Sequence, residues 1–214
     1  MHEMDRLEMT KTQLLGLTFS ALLATQANAA LITGTTASVV AGGLWGATPV
    51  ARIVDGVFPG EGDHYMNNTA VWGTGTPSMT ATLQVDLGAV YTLEDLLVSV
   101  DNNDSYEVTY SENGQSFSSL FTIAFNLGEI GSGMDTFSTD ASHAEYVAAI
   151  DFAAVNARYL RVRELSGDGR YSVGEIQAFG SPLTSNDQHT VPVPSTLSLV
   201  GIGALAFGLR RRKA

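Results

Sequence analysis

The chain has 214 residues, no cysteine, and 22 acidic against 11 basic side chains, for a net charge of −11. That length suits one domain with processed ends, and the missing cysteine excludes a disulfide framework, a thiolate metal site and a thiol nucleophile. The acidic balance excludes a nucleic-acid binder, which needs clustered Lys and Arg to displace counterions, and 22 glycines with 15 % charged residues favour a turn-rich β protein.

In chain order, the first element is an address. Arg6 and Lys11 precede an 11-residue apolar run, Leu14–Ala24, and an Ala27-Asn28-Ala29 site. This is the build of a secretory signal peptide, residues 1–29, with cleavage by signal peptidase after Ala29. Met9 is an alternative start to Met1, because residues 1–8 add acidic charge where such a segment wants none.

Residues 30–182 read as strands. Thr82–Leu87 alternates, with Leu83, Val85 and Leu87 on one face and Gln84 and Asp86 on the other, and Gly88 ends it. Leu93–Val100 is richer in apolar residues, as in a more buried strand. Tyr106–Tyr110 alternates again, and Asn113-Gly114 predicts a hairpin turn before the apolar stretch Phe117–Phe125. Gly128–Ser142 reads as a long loop, and Tyr146–Phe152, Arg158–Val162 and Val173–Phe179 as three further strands. Short strands at this spacing, with Gly/Asn/Asp turns and no helical period, imply an all-β fold: an eight-stranded jelly-roll-like β-sandwich with its termini close together.

A linker, residues 183–190, leads to the last element. In Val191-Pro192-Val193-Pro194-Ser195 the two prolines, Pro192 and Pro194, break the chain. Thr196–Leu209 is a 14-residue Gly-containing apolar run, a short transmembrane segment. Arg210-Arg211-Arg212-Lys213 then stops transfer and holds the C-terminus in the cytoplasm. This tail, residues 191–214, resembles the PEP-CTERM sorting signal of Gram-negative bacteria, whose members usually carry Glu where this chain has Val193. The residues that carry the resemblance are Val191, Pro192, Val193, Pro194 and Ser195, the Gly-rich apolar run, and Arg210, Arg211 and Arg212 with Lys213. It implies an exosortase as partner, passage through the inner membrane, and delivery to the outer surface, the extracellular matrix or the medium. A plain uncut membrane anchor is the alternative.

With both ends removed, residues 30–190 keep five cations, Arg52, Arg158, Arg161, Arg163 and Arg170, against nineteen carboxylates, a net charge of −14. Such a field repels anionic partners and attracts divalent cations.

Four runs inside the sandwich, Val85-Asp-Leu-Gly88, Tyr106–Gly114, Ala157–Val162 and Tyr171–Gly180, are similar in order and spacing to a discoidin, or coagulation factor 5/8 type C, domain, a galactose-binding-like sandwich. Ala51-Arg-Ile-Val-Asp-Gly56, followed by a polar stretch ending in Trp72, resembles the Asp-Gly loop of that family. The resemblance implies a calcium ion between Asp55 and Glu175. Glu61, Asp63, Asn67, Asn68 and Thr69 offer nearby oxygens for the six to eight that calcium takes. The alternative is that Asp55 caps its own turn.

Asp101-Asn102-Asn103-Asp104 and Ser166-Gly-Asp168-Gly-Arg170 lie between strands, and so at an end of the sandwich. Asx side chains favour turns for local reasons, and they also bind sugar hydroxyls or cations. Should the two loops share an end, Asp101, Asn103, Asp104 and Asp168 converge. Trp45, Phe58, His64, Tyr65 and Trp72 precede them in polar loops, the mixture that stacks on a sugar ring and bonds its hydroxyls; Trp72 also suits the core. Catalysis lacks support: outside the ends only His64 and His143 remain, with no H-E-x-x-H or G-x-S-x-G. The resulting expectation is an exported, non-enzymatic, calcium-stabilised carbohydrate-binding module with a polysaccharide ligand. A structural matrix protein without a specific ligand is the alternative, and a secreted hydrolase a more distant one.

Overall fold

The computed structural model describes residues 29–66, 70–74 and 81–183. Residues 1–28 of the expected signal peptide, and Asn67, Asn68 and Thr69, lie outside these. So does the whole sorting tail: Val191, Pro192, Val193, Pro194 and Ser195, the segment 196–209, and Arg210, Arg211 and Arg212. Among the described residues no helix is long and apolar enough to cross a membrane.

The described residues form nine strands rather than eight: β1 (Ala30–Leu31), β2 (Thr36–Ala41), β3 (Val71–Thr74), β4 (Thr82–Asp101), β5 (Ser105–Ser111), β6 (Ser118–Ile123), β7 (Met134–Ser138), β8 (Val155–Ser166) and β9 (Arg170–Pro182). A single 20-residue strand, β4, builds both layers. Its first half lies between β2 and β8, and β5 and β6 extend that sheet. Its second half lies between β7 and β9, and β9 also carries β1 and β3. Gly88 therefore ends nothing: it sits where the pairing of β4 with β8 changes register, between Asp86 and Tyr91. All strand pairs are antiparallel, and Ala30 lies opposite Gly180, so the first and last strands are neighbours.

Alternation explains the inner face. Leu83, Val85 and Leu87 are buried and meet Val108, Leu160 and Val162 in the core, where Leu96, Val98 and Phe137 also lie. The outward-facing Gln84 and Asp86 are used across the ladder: Arg161 donates to Gln84 at 2.9 Å, and Arg158 grips both Asp86 oxygens at 2.9 and 3.1 Å. Opposite polar partners on adjacent strands stabilise the outer face modestly.

Two expectations are corrected. Gly128–Ser142 contains β7, whose five residues are all buried. Tyr146–Phe152 is not a strand: Tyr146 makes one isolated bridge to Ser138, and Ala148–Ile150 is a 3₁₀ turn that buries Ile150. A second 3₁₀ turn, Val50–Val54, buries Ile53 completely and delivers Asp55 directly after it.

Candidate functional site

Four connections meet at one end of the sandwich: the segment before β3, the turn Asn102–Asp104 between β4 and β5, the segment before β7, and Gly167–Gly169 between β8 and β9. Backbone pairing joins the first to the third, since Gly62 N–H donates to Met134 O and Met134 N–H to Asp63 O, both at 2.8 Å. The result is a cavity of about 240 Å3 whose polar lining comes from His64, Tyr65, Asp101, Asn103, Asp168 and Arg170. The 101–104 and 166–170 loops do share an end, and the structure brings His64 and Tyr65 to them.

Asp101 forms part of the floor. It is 2 % exposed, and its Oδ1 accepts from Gly133 N–H at 3.2 Å. Burial pushes its carboxyl up to about 6, against the Gly133 N–H, and the Asp168 charge adds to the rise. The Asn103 amide lies between two carboxylates. In one orientation Nδ2 donates to Asp168 Oδ2 at 3.3 Å; turned over, it donates to both Asp101 oxygens at 2.9 and 3.2 Å. Asp168 is exposed, with Oδ1 accepting from Arg170 N–H at 2.9 Å.

The aromatic wall is ordered by contacts. The Tyr65 ring lies 4.4 Å from His64 and meets Trp72 edge-on at 5.8 Å, and the Arg170 guanidinium stands 6.0 Å from its centroid. His64 Nδ1 accepts from Met66 N–H at 3.3 Å, which leaves Nε2 as the donor of the neutral ring.

Asp104 and Asn102 sit behind this cavity rather than in it. Asp104 is fully buried; Oδ1 accepts from Asp168 N–H at 3.0 Å and Oδ2 from Tyr106 OH at 3.5 Å, while Tyr106 OH accepts from Ser172 N–H at 3.0 Å. Burial pushes the Asp104 carboxyl up to about 7, against the Asp168 N–H, with the charges of Asp101 and Asp168 adding. Gly167 packs so closely here that a Cβ would lie 1.6 Å from Asp104 Oδ1. Asn102, also fully buried, donates to Ile130 O and, at 3.0 Å, to Asp135 Oδ2, so its amide braces the segment before β7. Trp72, half-buried on β3, backs Tyr65.

Asp55 and Glu175 line a different cavity, of about 340 Å3, with Thr33, Gly34, Thr35 and Gln177. Glu175 is 1 % exposed; Oε1 accepts from Gly56 N–H at 3.0 Å, and Oε2 has no hydrogen-bond partner. Burial pushes this carboxyl up to about 7, against the Gly56 N–H, and the Asp55 charge adds to the rise. Asp55 is exposed; Oδ1 accepts from Val57 N–H and Oδ2 from Arg52, each at 3.0 Å. The turn-capping role and the cavity-lining role thus coexist in Asp55. Glu61 and Asp63 are not brought to this cavity. Glu61 contacts Asp135 and Thr136, and desolvation pushes its carboxyl up to about 7. Asp63 Oδ2 closes its own turn on Gly60 N–H at 2.8 Å. Among the described residues no group of three or more His, Asp or Glu side chains is placed to hold a metal ion. A cation here would therefore use Asp55 and Glu175 with hydroxyl, carbonyl or water oxygens. The chemistry of that set fits calcium, and the buried, unpartnered Oε2 is the atom that asks for it.

Sequence reasoning did not select Arg170, Ser132 or Gly133 for the loop-end cavity. Arg170 had a signal: it is the one cation of residues 30–190 outside β8 and the first 3₁₀ turn. Ser132 and Gly133 had none, because their place depends on the Met134–Asp63 pairing.

The model of the F5/8 type C domain matches residues 34–177. That of the PEP-CTERM protein-sorting motif matches residues 190–213, the stretch that contains Pro192, Pro194 and the terminal arginines. No curated protein matches the chain. Among solved structures, a family 89 glycoside hydrolase from Clostridium perfringens, in complex with GlcNAc-α-1,4-galactose, is similar over 72 % of this chain at 18 % identity and a TM-score of 0.50; the match spans 15 % of the hydrolase chain. CBM32-1 from a family 31 glycoside hydrolase of the same organism is similar over 70 % of this chain and 96 % of its own, at 14 % identity and a TM-score of 0.48. The CBM32 of AlyQ, in complex with 4,5-unsaturated mannuronic acid, covers 72 % of this chain and 98 % of its own, at 16 % identity and a TM-score of 0.45.

Proposed function

The chain belongs to the F5/8 type C domain family, and on that premise we propose that it is an exported, non-catalytic carbohydrate-binding module. The observation that carries this reading is the loop-end cavity, which sets an aromatic ring beside donors and acceptors of hydrogen bonds in about 240 Å3. A pyranose offers an apolar C–H face and hydroxyls that both donate and accept. Tyr65 supplies a surface for the face, Arg170 and His64 Nε2 supply donors, Asp101 and Asp168 supply acceptors, and Asn103 supplies both. Two carboxylates against one arginine disfavour acidic sugars, so the ligand class is neutral.

Two finer parts complete the proposal. Signal peptidase releases the chain after Ala29, and an exosortase acts on the sorting motif at 190–213, which leaves the sandwich at the cell surface, in the matrix or in the medium. Calcium binds between Asp55 and Glu175. It supplies there a positive charge that makes the ionised, buried Glu175 favourable and ties the Asp55-Gly56 turn to β9.

The test is a glycan array followed by calorimetric titration of the exported protein. Saturable binding of a neutral glycan, lost in Tyr65→Ala and Arg170→Ala variants that melt like wild type, supports the reading. Salt-sensitive, non-saturating association with polysaccharide sinks it in favour of a structural matrix protein. Turnover of a glycan dependent on one carboxylate would make the chain an enzyme instead. Mass-spectrometric definition of both mature ends tests the processing: Lys213 retained on the exported protein overturns it.

A further inference from the structure

The chain has two tryptophans, Trp45 and Trp72. Both line a second cavity, of about 590 Å3, together with Arg52 and Met66. Trp45 is 72 % exposed, more than any other large apolar side chain among the described residues. An indole left that open forfeits most of the stabilisation its burial would bring. The backbone that carries it is nevertheless held in place. Trp45 N–H donates to Trp72 O at 3.0 Å. The next residue, Gly46, lies so close to the Trp72 indole that a Cβ would stand 2.5 Å from Nε1, an approach that glycine allows and a larger residue does not. A held backbone beneath an exposed aromatic ring suits a stacking platform, because less ordering entropy is left to lose on binding.

The second cavity neighbours the first. Tyr65 lines the first and Met66 the second, and the Tyr65 ring meets Trp72 edge-on at 5.8 Å. Trp72 in turn lines the second cavity together with Trp45, so the Tyr65–Trp72 contact links the two cavities. Among the described residues the one charged side chain lining the second cavity is Arg52, and its guanidinium is engaged by Asp55 at 3.0 Å. The described lining of the second cavity therefore presents little net charge and few strong hydrogen-bonding groups. It suits the apolar face of a further neutral sugar and gives little discrimination between sugars.

Building on the carbohydrate reading of the loop-end cavity, we propose that the Trp45 cavity is a second sugar subsite. The ligand is then a chain of at least two neutral hexose units crossing the Tyr65–Met66 segment. The first cavity selects the sugar through its polar groups, and Trp45 contributes affinity through stacking.

The experiment titrates the exported protein with glucose, galactose and N-acetylglucosamine, and with cello-, galacto- and chito-oligosaccharides of two, four and six units. In the series that binds, affinity rises about tenfold from one unit to four, equivalent to about 1.4 kcal/mol. Trp45→Ala removes this rise and leaves the affinity for the monosaccharide and the melting temperature unchanged. In Trp72→Phe, where Trp45 is the remaining tryptophan, the oligosaccharide shields the fluorescence from acrylamide and the monosaccharide does not. Binding that is lost in Tyr65→Ala but independent of chain length, or a length effect that survives in Trp45→Ala, overturns the second subsite and leaves the first reading standing. Failure of every sugar in the set to bind wild-type protein overturns both.

Discussion

Two regions of this sandwich bury carboxylates, and they do so differently. At the loop end, Asp101 and Asp104 are 2 % and 0 % exposed, and neither has a buried oxygen left without a hydrogen-bond partner. At the Asp55-Gly56 turn, Glu175 is as deeply buried, yet its Oε2 has none. Burial raises all three, to about 6 for Asp101 and about 7 for Asp104 and Glu175. A raised pKa alone thus does not distinguish Asp104 from Glu175; hydrogen-bond satisfaction does, and Asp135, held through Oδ2 by Asn102 with Oδ1 unpartnered, stands between them. A carboxylate whose oxygens are spent on its own backbone is a brace, and it fixes the loops that present other groups. A carboxylate with a buried, unspent oxygen keeps an acceptor position that the described chain does not fill.

The largest expected effect tests the brace. Asp104→Ala strips the acceptor from Asp168 N–H and from Tyr106 OH. Leaving these groups unpaired costs about 2–4 kcal/mol, and releasing the 166–170 loop removes glycan binding with it. Gly167→Ala drives a Cβ into Asp104 Oδ1 and produces the same pair of losses. Denaturant unfolding with a binding titration reads both. Stability within about 0.5 kcal/mol of wild type would mean that Asp104 braces nothing.

The next effect tests the unspent oxygen. Calcium at one hundred times its dissociation constant raises wild-type stability by about 2.7 kcal/mol, which is roughly 5–10 °C in a domain of this size. Glu175→Gln keeps the shape and removes the charge. It abolishes that rise, and without calcium at pH 8 the variant is no less stable than wild type. A calcium-dependent melt retained in Glu175→Gln would place the ion elsewhere.

A smaller effect follows from pH. Asp104, Glu164 and Glu175 have carboxyls raised to about 7 by burial, from ordinary values of 3.8, 4.5 and 4.5. The fold binds their protons more tightly than the unfolded chain does. The stability this contributes is fully present below about pH 4 and is lost as pH rises through 7. Without calcium, the melting temperature therefore falls between pH 5 and pH 8. Calcium flattens that slope only in part, because it acts on Glu175 and leaves Asp104 and Glu164 as they are. A melt that rises over this interval, or a slope that calcium removes entirely, would break the contrast between the two regions.

The sequence made some of this legible and hid the rest for physical reasons. Period-two alternation located Leu83, Val85 and Leu87 because one face of β4 packs on the core while Gln84 and Asp86 meet arginines of β8. It failed at β7, where Met134, Asp135, Thr136, Phe137 and Ser138 are all buried: Asp135 Oδ2 accepts from Asn102, and covering on both faces erases the alternation. It failed in the opposite sense at Tyr146–Phe152, where apolar residues pack one side of a 3₁₀ turn. Asx residues marked the loops of the loop-end cavity, but Asn102 and Asp104 turned inward while Asn103 and Asp168 line it. Composition cannot separate these pairs, since local turn chemistry uses the same side chains either way. Glu175 was singled out through family resemblance alone, because a carboxylate on a buried face contradicts every pattern rule.

The smallest expected effect lies at the cavity rim. Asp168 is exposed, and its charge raises both Asp101 and Asp104. Its Oδ1 accepts from Arg170 N–H, an acceptor that an asparagine also supplies. Asp168→Asn therefore leaves the loop in place and shifts stability by less than about 0.5 kcal/mol. What changes is the charge balance: Arg170 then faces one carboxylate, Asp101, instead of two. Affinity for a neutral sugar changes little, while discrimination against its uronic acid relaxes, by about threefold to tenfold at low ionic strength, and salt diminishes the difference. Competition between galactose and galacturonate, on wild type and variant, measures it. Unchanged discrimination would show that the cavity selects by shape and hydrogen bonding alone. The carboxylates of the loop end would then act on a ligand as acceptors and not as a field, which narrows the difference of Asp101 and Asp104 from Glu175 to the unpartnered Oε2 of Glu175.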